Sequence, residues 1–234
     1  MSGHSKWANI KHRKERSDKK KGKLFSRIAK EIITAVKQGG SDPKSNSKLK
    51  IIIQKAKDAN LPNDILERNI KKASSKEQAD YFEMMYELYG YGGVGLIVEI
   101  MTDNKNRISS DIRIATNKCG GTLATPGSVA FNFKRKGIIK VEKKNANEDE
   151  LFMLASELGA EDFQVDEEYF TISTKVEDLH KIKEGINLNC EATIEMIPNS
   201  LIECSDEDTD SNIKLIEYLE NLDDVDVVYH NMSV

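Results

Sequence analysis

The sequence predicts an α+β protein of three domains, an N-terminal helical domain followed by two α/β sheet domains, the last of them inserted and ferredoxin-like. Apolar residues recur at helical spacing up to about residue 75, the pattern then changes to strands, and a β-α-β-β-α-β order follows from residue 136. We expect the boundaries to be 1–77 for a basic arm and helical domain, 78–135 plus 204–234 for the middle domain, and 136–203 for the ferredoxin-like domain.

Three short amphipathic helices are predicted in the first domain. The first begins at Leu24, where apolar side chains start to recur every three or four residues, and Gly39-Gly40 can end it. Ser41-Asp42-Pro43 indicates the start of a second helix, and Asn60-Leu61-Pro62 ends that helix. A third helix follows and ends near residue 75. The first helix therefore buries one face and leaves the other basic.

The middle domain is predicted to begin with a hairpin. Residues 84–89 and 94–102 have the pattern of strands, and Gly90-Tyr91-Gly92-Gly93 joins them as a turn. A helix follows, with Asp103 or Asn104 as its N-terminal cap, and it ends at Cys119-Gly120-Gly121. Residues 128–134 are predicted to form the next strand.

The remaining elements predict the ferredoxin-like unit and a return to the middle domain. The unit comprises, in chain order, a strand at 138–142, a helix at 148–158, strands at 162–165 and 169–173, a helix at 176–186 and a strand at 191–197. A helix at 206–222 and a strand at 225–230 come after it. We expect these last two elements to complete the sheet of the middle domain.

Charge is divided unequally along the chain. Residues 1–75 carry 20 Lys and Arg against 7 Asp and Glu, a net of +13, whereas the whole chain has a net charge of −4. The rest of the chain therefore sums to −17, from 15 basic and 32 acidic residues. Each basic side chain that meets a phosphate releases a condensed counterion, so a cationic segment of this density predicts a nucleic-acid partner.

The candidate nucleic-acid-binding residues lie mainly in the stretch 6–23, which also contains the single tryptophan of the chain. A planar ring among cations can stack on a base while its neighbours hold the backbone, which suits RNA better than groove readout of a duplex. The alternative is a solvated basic arm with the tryptophan packed against the next helix. The candidates are Lys6, Trp7, Lys11, His12, Arg13, Lys14, Arg16, Lys19, Lys20, Lys21 and Lys23, with Arg27 and Lys30 on the basic face of the first helix.

A second polar cluster lies outside the helical domain, in the stretch Asp103-Asn104-Lys105-Asn106-Arg107. One interpretation is helix capping by Asp103 or Asn104. The other is a loop at a strand end that places Lys105 and Arg107 on RNA. Both residues are therefore included among the nucleic-acid-binding candidates.

Nothing in the sequence favours an enzyme, so no catalytic residue, cofactor, metal or small-molecule substrate is expected. Residues 90–95 match the pattern G-x-G-x-x-G, but the segment continues as a strand and does not open the helix that a dinucleotide site requires. The four histidines are too scattered to form a metal set. The acidic run 203–210 is typical of a helix start, where the dipole favours carboxylates.

The composition also bears on localisation. The three cysteines are far apart, so they predict neither a disulfide framework nor a metal knuckle. No apolar run approaches the roughly 20 residues that a membrane span needs, and the N-terminus lacks the apolar segment of a secretory signal. We therefore expect a cytoplasmic protein without a membrane partner.

Several motifs resemble those of one known family. The opening GHSKWANIKHRK at residues 3–14 resembles the signature of the YebC family, which includes a mitochondrial translational activator. The further matches are GGSDP at 39–43, YGYGG at 89–93, TDNKNR at 102–107, CGG at 119–121, GSVAFNF at 127–133 and LDDVDVVYHN at 222–231. The chain departs from the family pattern at Leu88, where glycine is usual, and at Tyr91, where proline is usual. The resemblance implies three domains, with the C-terminal segment completing the middle one.

Three functions remain open at this stage. Bacterial members of the family are widely assigned as DNA-binding transcriptional regulators, so the resemblance implies a nucleic-acid-binding regulator of gene expression. The mitochondrial member implies a ribosome-associated translation factor that binds rRNA or tRNA and relieves stalling. A third hypothesis is an adaptor whose acidic domains bind a basic protein.

Overall fold

The computed structural model of the chain describes residues 6–75 and 79–233, with side chains in the first helix from Lys21 onward. These residues form seven α-helices and two four-stranded sheets whose paired strands all run antiparallel. The predicted α+β class is confirmed, with a helical domain followed by two sheet domains.

The helical domain consists of α1 (Lys6–Gly39), α2 (Ser47–Asp58) and α3 (Asn63–Ala73). The prediction that α1 begins at Leu24 is wrong, because apolar spacing is only one of the causes of helix formation. Lys, Arg, Glu and Ala make up more than half of residues 6–23, and all four have good helix propensity. The basic stretch and the packed helix are therefore one continuous helix.

Asn46 joins the end of α1 to the start of α2. Its side-chain oxygen accepts from the N–H of Leu49 at 3.0 Å and caps α2, while its Nδ2 donates to the carbonyl oxygens of Ala35 and Gly40 at 2.8 and 2.7 Å. A Cβ on Gly39 would lie 2.8 Å from this amide, so glycine is needed there for the close approach.

The middle domain has the sheet order β3-β1-β2-β8, with α4 and α7 packed on one face. Its elements are β1 (Phe82–Tyr89), β2 (Gly95–Thr102), α4 (Lys105–Cys119), β3 (Thr122–Leu123), α7 (Asp206–Glu220) and β8 (Val225–His230). Strand β8 pairs with β2 from Leu96↔His230 to Ile100↔Val225. The C-terminal segment therefore lies in the same sheet as the first hairpin.

The third domain lies between these parts of the middle domain and has the sheet order β5-β6-β4-β7. Its elements are β4 (Phe133–Glu142), α5 (Glu148–Leu158), β5 (Asp162–Val165), β6 (Tyr169–Thr174), α6 (Leu179–Ile186) and β7 (Cys190–Pro198). The chain order β-α-β-β-α-β and the central position of β4 and β6 are those of a ferredoxin-like fold.

The predicted strand at residues 128–134 is wrong over most of its length. Residues 126–132 form turns and one turn of 3-10 helix, and β4 begins at Phe133. The cause is Glu87 of β1, which is 4 % exposed and whose carboxylate accepts from the N–H groups of Gly127, Val129 and Ala130 at 2.6, 2.7 and 2.8 Å. These N–H groups are satisfied by a side chain and not by a neighbouring strand.

The glycine-rich turn after β1 is closed by Asn212 of α7. This fully buried amide accepts from the N–H of Tyr91 at 2.8 Å and donates to the carbonyl of Tyr91 at 3.1 Å. A Cβ on Gly90 would lie 2.2 Å from the Asn212 oxygen. No helix opens at Gly95, where β2 begins, so the geometry of a dinucleotide-binding turn is absent from this segment.

Each domain contacts the other two. The middle and third domains share an apolar contact of Ile97 with Val129 and Phe133. The end of α2 contacts the third domain, where Lys183 Nζ donates to the Asp58 carbonyl at 2.9 Å. Helix α1 packs along β8 of the middle domain.

We predict that Glu87→Gln lowers the free energy of unfolding by roughly 2–3 kcal/mol, because the amide group of Gln cannot accept all three N–H bonds and one donor loses its partner. Burial raises the pKa of Glu87, but the N–H groups of Gly127, Ala130 and Val129 lower it below its ordinary value overall. Urea unfolding at pH 7 measures the effect. Glu83→Gln, an exposed change on the same strand, is the control, and an equal loss in both variants would contradict the prediction.

Candidate nucleic-acid interface

The basic stretch of the sequence lies on the first half of α1. Residues 6–20 are helical in their backbone and extend about 22 Å along the axis at 1.5 Å per residue. Nine of the predicted nucleic-acid-binding residues belong to this segment, and their side chains lie outside the described part of the structure. They are Lys6, Trp7, Lys11, His12, Arg13, Lys14, Arg16, Lys19 and Lys20.

The next basic residues of α1 contact the protein itself. Lys21 pairs with Glu191 of β7. Lys23 Nζ donates to the carbonyl of Leu222 at 2.9 Å and also to that of Val225. Lys30 Nζ donates to the Met101 carbonyl at 2.7 Å. These side chains attach α1 to both sheet domains, so the structure places them at domain contacts.

Arg27 lies at the junction of the three domains. Its Nη1 bonds to Glu99 Oε2 of β2 at 2.5 Å, and its Nε bonds to Glu31 Oε1 at 3.1 Å. Arg135 of the third domain reaches Glu99 Oε1 at 3.4 Å, and Lys55 of α2 reaches Glu31 Oε1 at 2.6 Å. Burial lowers the pKa of Arg27, but Glu99 and the other carboxylates raise it above its ordinary value overall. The guanidinium therefore stays charged in a largely buried position.

Asp226 of β8 is the least satisfied member of this cluster. Its Oδ2 is buried without a hydrogen-bond partner among the described residues, and it lies 3.8 Å from Arg27 Nε. Burial raises the pKa of Asp226 from 3.8 to about 6, although Arg27, Lys30 and Lys23 act in the opposite direction. The cluster therefore contains one carboxylate that titrates near neutral pH.

The second predicted cluster, at residues 103–107, is held by contacts within the middle domain. Asn104 caps α4 by accepting from the N–H groups of Asn106 and Arg107 at 3.1 and 3.0 Å. Arg107 bonds to Asp224 at 2.6 Å and to Asp103 at 2.7 Å. Lys105 Nζ lies 4.3 Å from the ring centre of Phe82. Both predicted cations have protein partners, although the Arg107 side chain remains 47 % exposed.

The structure also reveals exposed cations that the sequence reasoning did not select. These side chains have no ion pair or hydrogen bond with any described residue. Lys44 lies in the loop before α2, and the others lie off the apolar stripes of α2 and α3, a pattern that is visible in the sequence. They are Lys44, Lys50, Lys57, Arg68, Lys71 and Lys72. They extend the cationic surface of the helical domain beyond α1.

Within residues 6–75 and 79–233, no group of three or more His, Cys, Asp or Glu could hold a metal ion. Over the same residues, no helix combines the length and the apolar character needed to cross a membrane. The three cysteines are free thiols.

We predict that the contribution of Asp226 to stability falls as pH rises from about 4 to about 6, because the folded state binds the Asp226 proton more tightly than the unfolded state. The shift from 3.8 to about 6 corresponds to roughly 3 kcal/mol, at about 1.4 kcal/mol per pKa unit. Asp226→Asn should therefore stabilise the protein in urea unfolding at pH 7.5 and give about a third of that gain at pH 4.5.

Asp80→Asn is the control for this experiment. Asp80 is an exposed carboxylate that pairs with Lys37 of α1, whereas Asp226 is buried beside Arg27 of the same helix. Its effect should be small at both pH values. A gain from Asp226→Asn that is the same at pH 4.5 and 7.5 would show that the Asp226 carboxylate is not shifted.

Comparisons with known proteins agree with this architecture. Residues 5–76 match the model of the TACO1/YebC protein N-terminal domain, and residues 81–232 match that of the TACO1/YebC second and third domain. A probable transcriptional regulatory protein of Protochlamydia amoebophila is 62 % identical over 100 % of this chain and 97 % of its own length. Another probable transcriptional regulatory protein, of Chlamydia trachomatis serovar L2, is 56 % identical over the full length of both chains.

A solved structure supports the same assignment. The crystal structure of a conserved hypothetical protein from Aquifex aeolicus is similar with a TM-score of 0.76 and 41 % identity, covering 91 % of this chain and 90 % of that one. The resemblance seen in the sequence motifs is thus confirmed by both domain models and by the fold. The chain belongs to the TACO1/YebC family.

Proposed function

We propose that this protein is a nucleic-acid-binding regulator of gene expression and that the first half of α1 is its principal contact with nucleic acid. The observation that carries the proposal is the continuity of α1. Its residues 6–20 carry seven Lys and Arg against two acidic residues, and they lie on the same helix that packs into the helical domain. A rigid cationic rod on a folded body is suited to follow a phosphate backbone.

The inward contacts of α1 support this role. Lys23, Arg27 and Lys30 fasten the middle of the helix to β2, β8 and the loop before β8. The direction of the preceding turns is then set by the folded domains. Binding through a segment that is already helical avoids much of the ordering cost that a flexible arm would incur.

The charge of the other domains restricts the orientation of the bound polymer. Residues 76–234 sum to −17, so most of their surface repels phosphate, whereas α1 and the free lysines of α2 and α3 attract it. A bound nucleic acid should therefore lie along the helical domain. This arrangement also explains how a chain with a net charge of −4 can bind a polyanion.

The names of the relatives favour duplex DNA as the target, as for a transcriptional regulator. A specific observation favours a second candidate, ribosomal RNA or tRNA. Helices α2 and α3 are joined by a four-residue turn, as in a helix-turn-helix, but α3 begins with Asn63 and Asp64 and carries Glu67 one turn later. The N-terminal part of a recognition helix faces the DNA, where carboxylates would be repelled by phosphate. The acidic start of α3 therefore argues against readout of a duplex by this helix, which favours RNA as the target.

A gradient experiment separates the two targets. The purified protein is sedimented with ribosomes at about 150 mM salt, where weak charge contacts are screened, with random duplex DNA in excess. A translation factor should sediment with the ribosomes, and a DNA-binding regulator should remain with the duplex.

We predict that replacing Lys14, Lys19 and Lys20 together by Ala reduces the slope of log Kd against log salt concentration by about 2 to 3 units. Each lost phosphate contact removes about 0.7 to 0.9 units. Fluorescence anisotropy of a labelled duplex and a labelled single-stranded RNA measures the slope. Lys21 is left unchanged because it pairs with Glu191.

The matched control replaces Lys140, Lys181 and Lys214 by Ala. These three exposed lysines of the sheet domains change the net charge by the same amount and are without described partners. Equal slopes for the two triple variants would remove α1 from the interface and contradict the proposed function.

A further inference from the structure

Phe131 is an exposed aromatic residue on a rigidly held loop. It is 78 % exposed, although it directly follows the segment whose N–H groups bond to the buried carboxylate of Glu87. The backbone that precedes Phe131 is thus fixed from inside the middle domain. Glu87 holds the preceding backbone in a position that leaves this large ring in solvent, where it has no evident role in the packing of the fold.

The loop is also fixed on its other side, by the segment that follows β7. The Asn132 carbonyl accepts from the N–H of Asn199 at 2.7 Å, and the Asn132 side-chain oxygen accepts from the Ser200 hydroxyl at 3.0 Å. The Phe131 carbonyl accepts from Asn199 Nδ2 at 3.4 Å. The backbone that carries the ring is therefore organised in advance of any binding event, which lowers the entropic cost of a contact there.

A basic cluster begins three residues after Phe131. Lys134, Arg135 and Lys136 of β4 and Lys175 after β6 line a shallow pocket together with Glu161 and Glu177. The pocket thus holds four of the 15 basic residues present in 76–234. It is locally positive in an otherwise acidic part of the chain.

Two of these cations are available to a ligand. Arg135 pairs with Glu99, and Lys136 pairs with Glu161 at 3.5 Å. Lys134 and Lys175 are exposed, and neither has an ion pair or hydrogen bond with a described residue. Glu177 is exposed beside them and reduces the local charge. The free cations still outnumber the free carboxylate.

We propose that this surface binds a single-stranded polynucleotide, with Phe131 stacked on one base and Lys134 and Lys175 on neighbouring phosphates. An aromatic platform beside cations is the usual arrangement for single strands, whose bases are open to stacking. Phe131 and Lys134 are three residues apart, so their Cα atoms lie no more than about 11 Å from each other, which allows one strand to meet both. The bases of an intact duplex are not open to such stacking, so a duplex should not occupy this surface.

The inference rests on the proposed function, because a polynucleotide is the ligand of both surfaces and one strand must be long enough to reach from α1 to Phe131. Two contacts on one strand act at high effective concentration, so weak binding at Phe131 becomes significant once α1 is engaged. The surface would then add a preference for single strands to the general attraction of α1 for phosphate.

A fluorescent reporter at position 131 tests the inference directly. Trp7 is the single tryptophan of the chain, so Phe131→Trp combined with Trp7→Phe places the only indole at this site. The probe is a 20-nucleotide single-stranded RNA, and its binding to each variant is measured separately by anisotropy. The control is Phe152→Trp in the same background, because Phe152 is an exposed ring on the acidic helix α5 of the third domain.

We expect saturating RNA to quench the fluorescence of the 131 reporter and to leave the 152 reporter unchanged. A duplex of the same length should bind without quenching either reporter. If anisotropy shows RNA binding and the 131 reporter is unchanged, this inference fails and the proposed function stands. If the unsubstituted chain binds neither nucleic acid at about 150 mM salt, both fail.

Substitutions give an independent measurement that does not involve Trp7. Phe131→Ala should weaken single-stranded RNA binding by roughly 5- to 150-fold, the range for loss of one stacked base, and leave duplex binding unchanged. Lys134→Ala with Lys175→Ala should reduce the salt slope for the RNA by about 1.4 units. Lys140→Ala with Lys181→Ala is the charge-matched control, and equal effects of the two pairs would overturn the assignment.

Discussion

The charge of Arg27 is the constraint on which the arrangement of the three domains depends. A largely buried guanidinium is tolerated only when carboxylates and hydrogen bonds compensate for its lost hydration. Glu31 supplies a carboxylate from the same helix, Glu99 supplies one from β2, and Arg135 brings the third domain to Glu99. Compensation of Arg27 requires the helical and middle domains to meet in one relative position, and Arg135 adds a contact from the third domain to the same carboxylate.

This junction divides α1 into two parts with different roles. The part from Lys21 to Gly39 contacts the sheet domains and the apolar core of the helical domain. The part before it carries a dense positive charge and continues the same helix. Because the acidic sheet domains are fixed to residues 21–39 of α1, their negative charge keeps a defined position relative to residues 6–20. Positive and negative charge are then carried by different surfaces of the folded chain.

Much of the fold could be predicted from local patterns, because its elements have clear periodicity. The bounds of α5 and β8 agree with the sequence prediction to the residue. Two predictions were wrong, because the structure at those places is decided by helix propensity without apolar periodicity or by a residue distant in the sequence. The start of α1 at Lys6 depends on helix propensity without an apolar stripe. The loop before Phe133 is shaped by Glu87, which lies about 40 residues away in the sequence.

The candidate site was less predictable than the fold. Local sequence identifies Lys23, Arg27 and Lys30 as cations, but it does not show that carbonyls and carboxylates of β2, β8 and their loops face them in the folded chain. The exposed lysines of α2 and α3 were visible as positions off the apolar stripe. The exposure of Phe131 depends on tertiary contacts of Glu87 with the backbone before it, which the local pattern does not predict.

The most direct test of the central claim is amide hydrogen exchange of the whole chain, free and saturated with a 20-nucleotide RNA or a duplex of the same length. We expect exchange at residues 6–20 to slow in both complexes, because the backbone of this segment is stabilised when its basic side chains hold phosphate. Helix α5, which begins with three acidic residues, should be unaffected. Binding without any added protection of residues 6–20 would show that the first half of α1 is not the nucleic-acid contact.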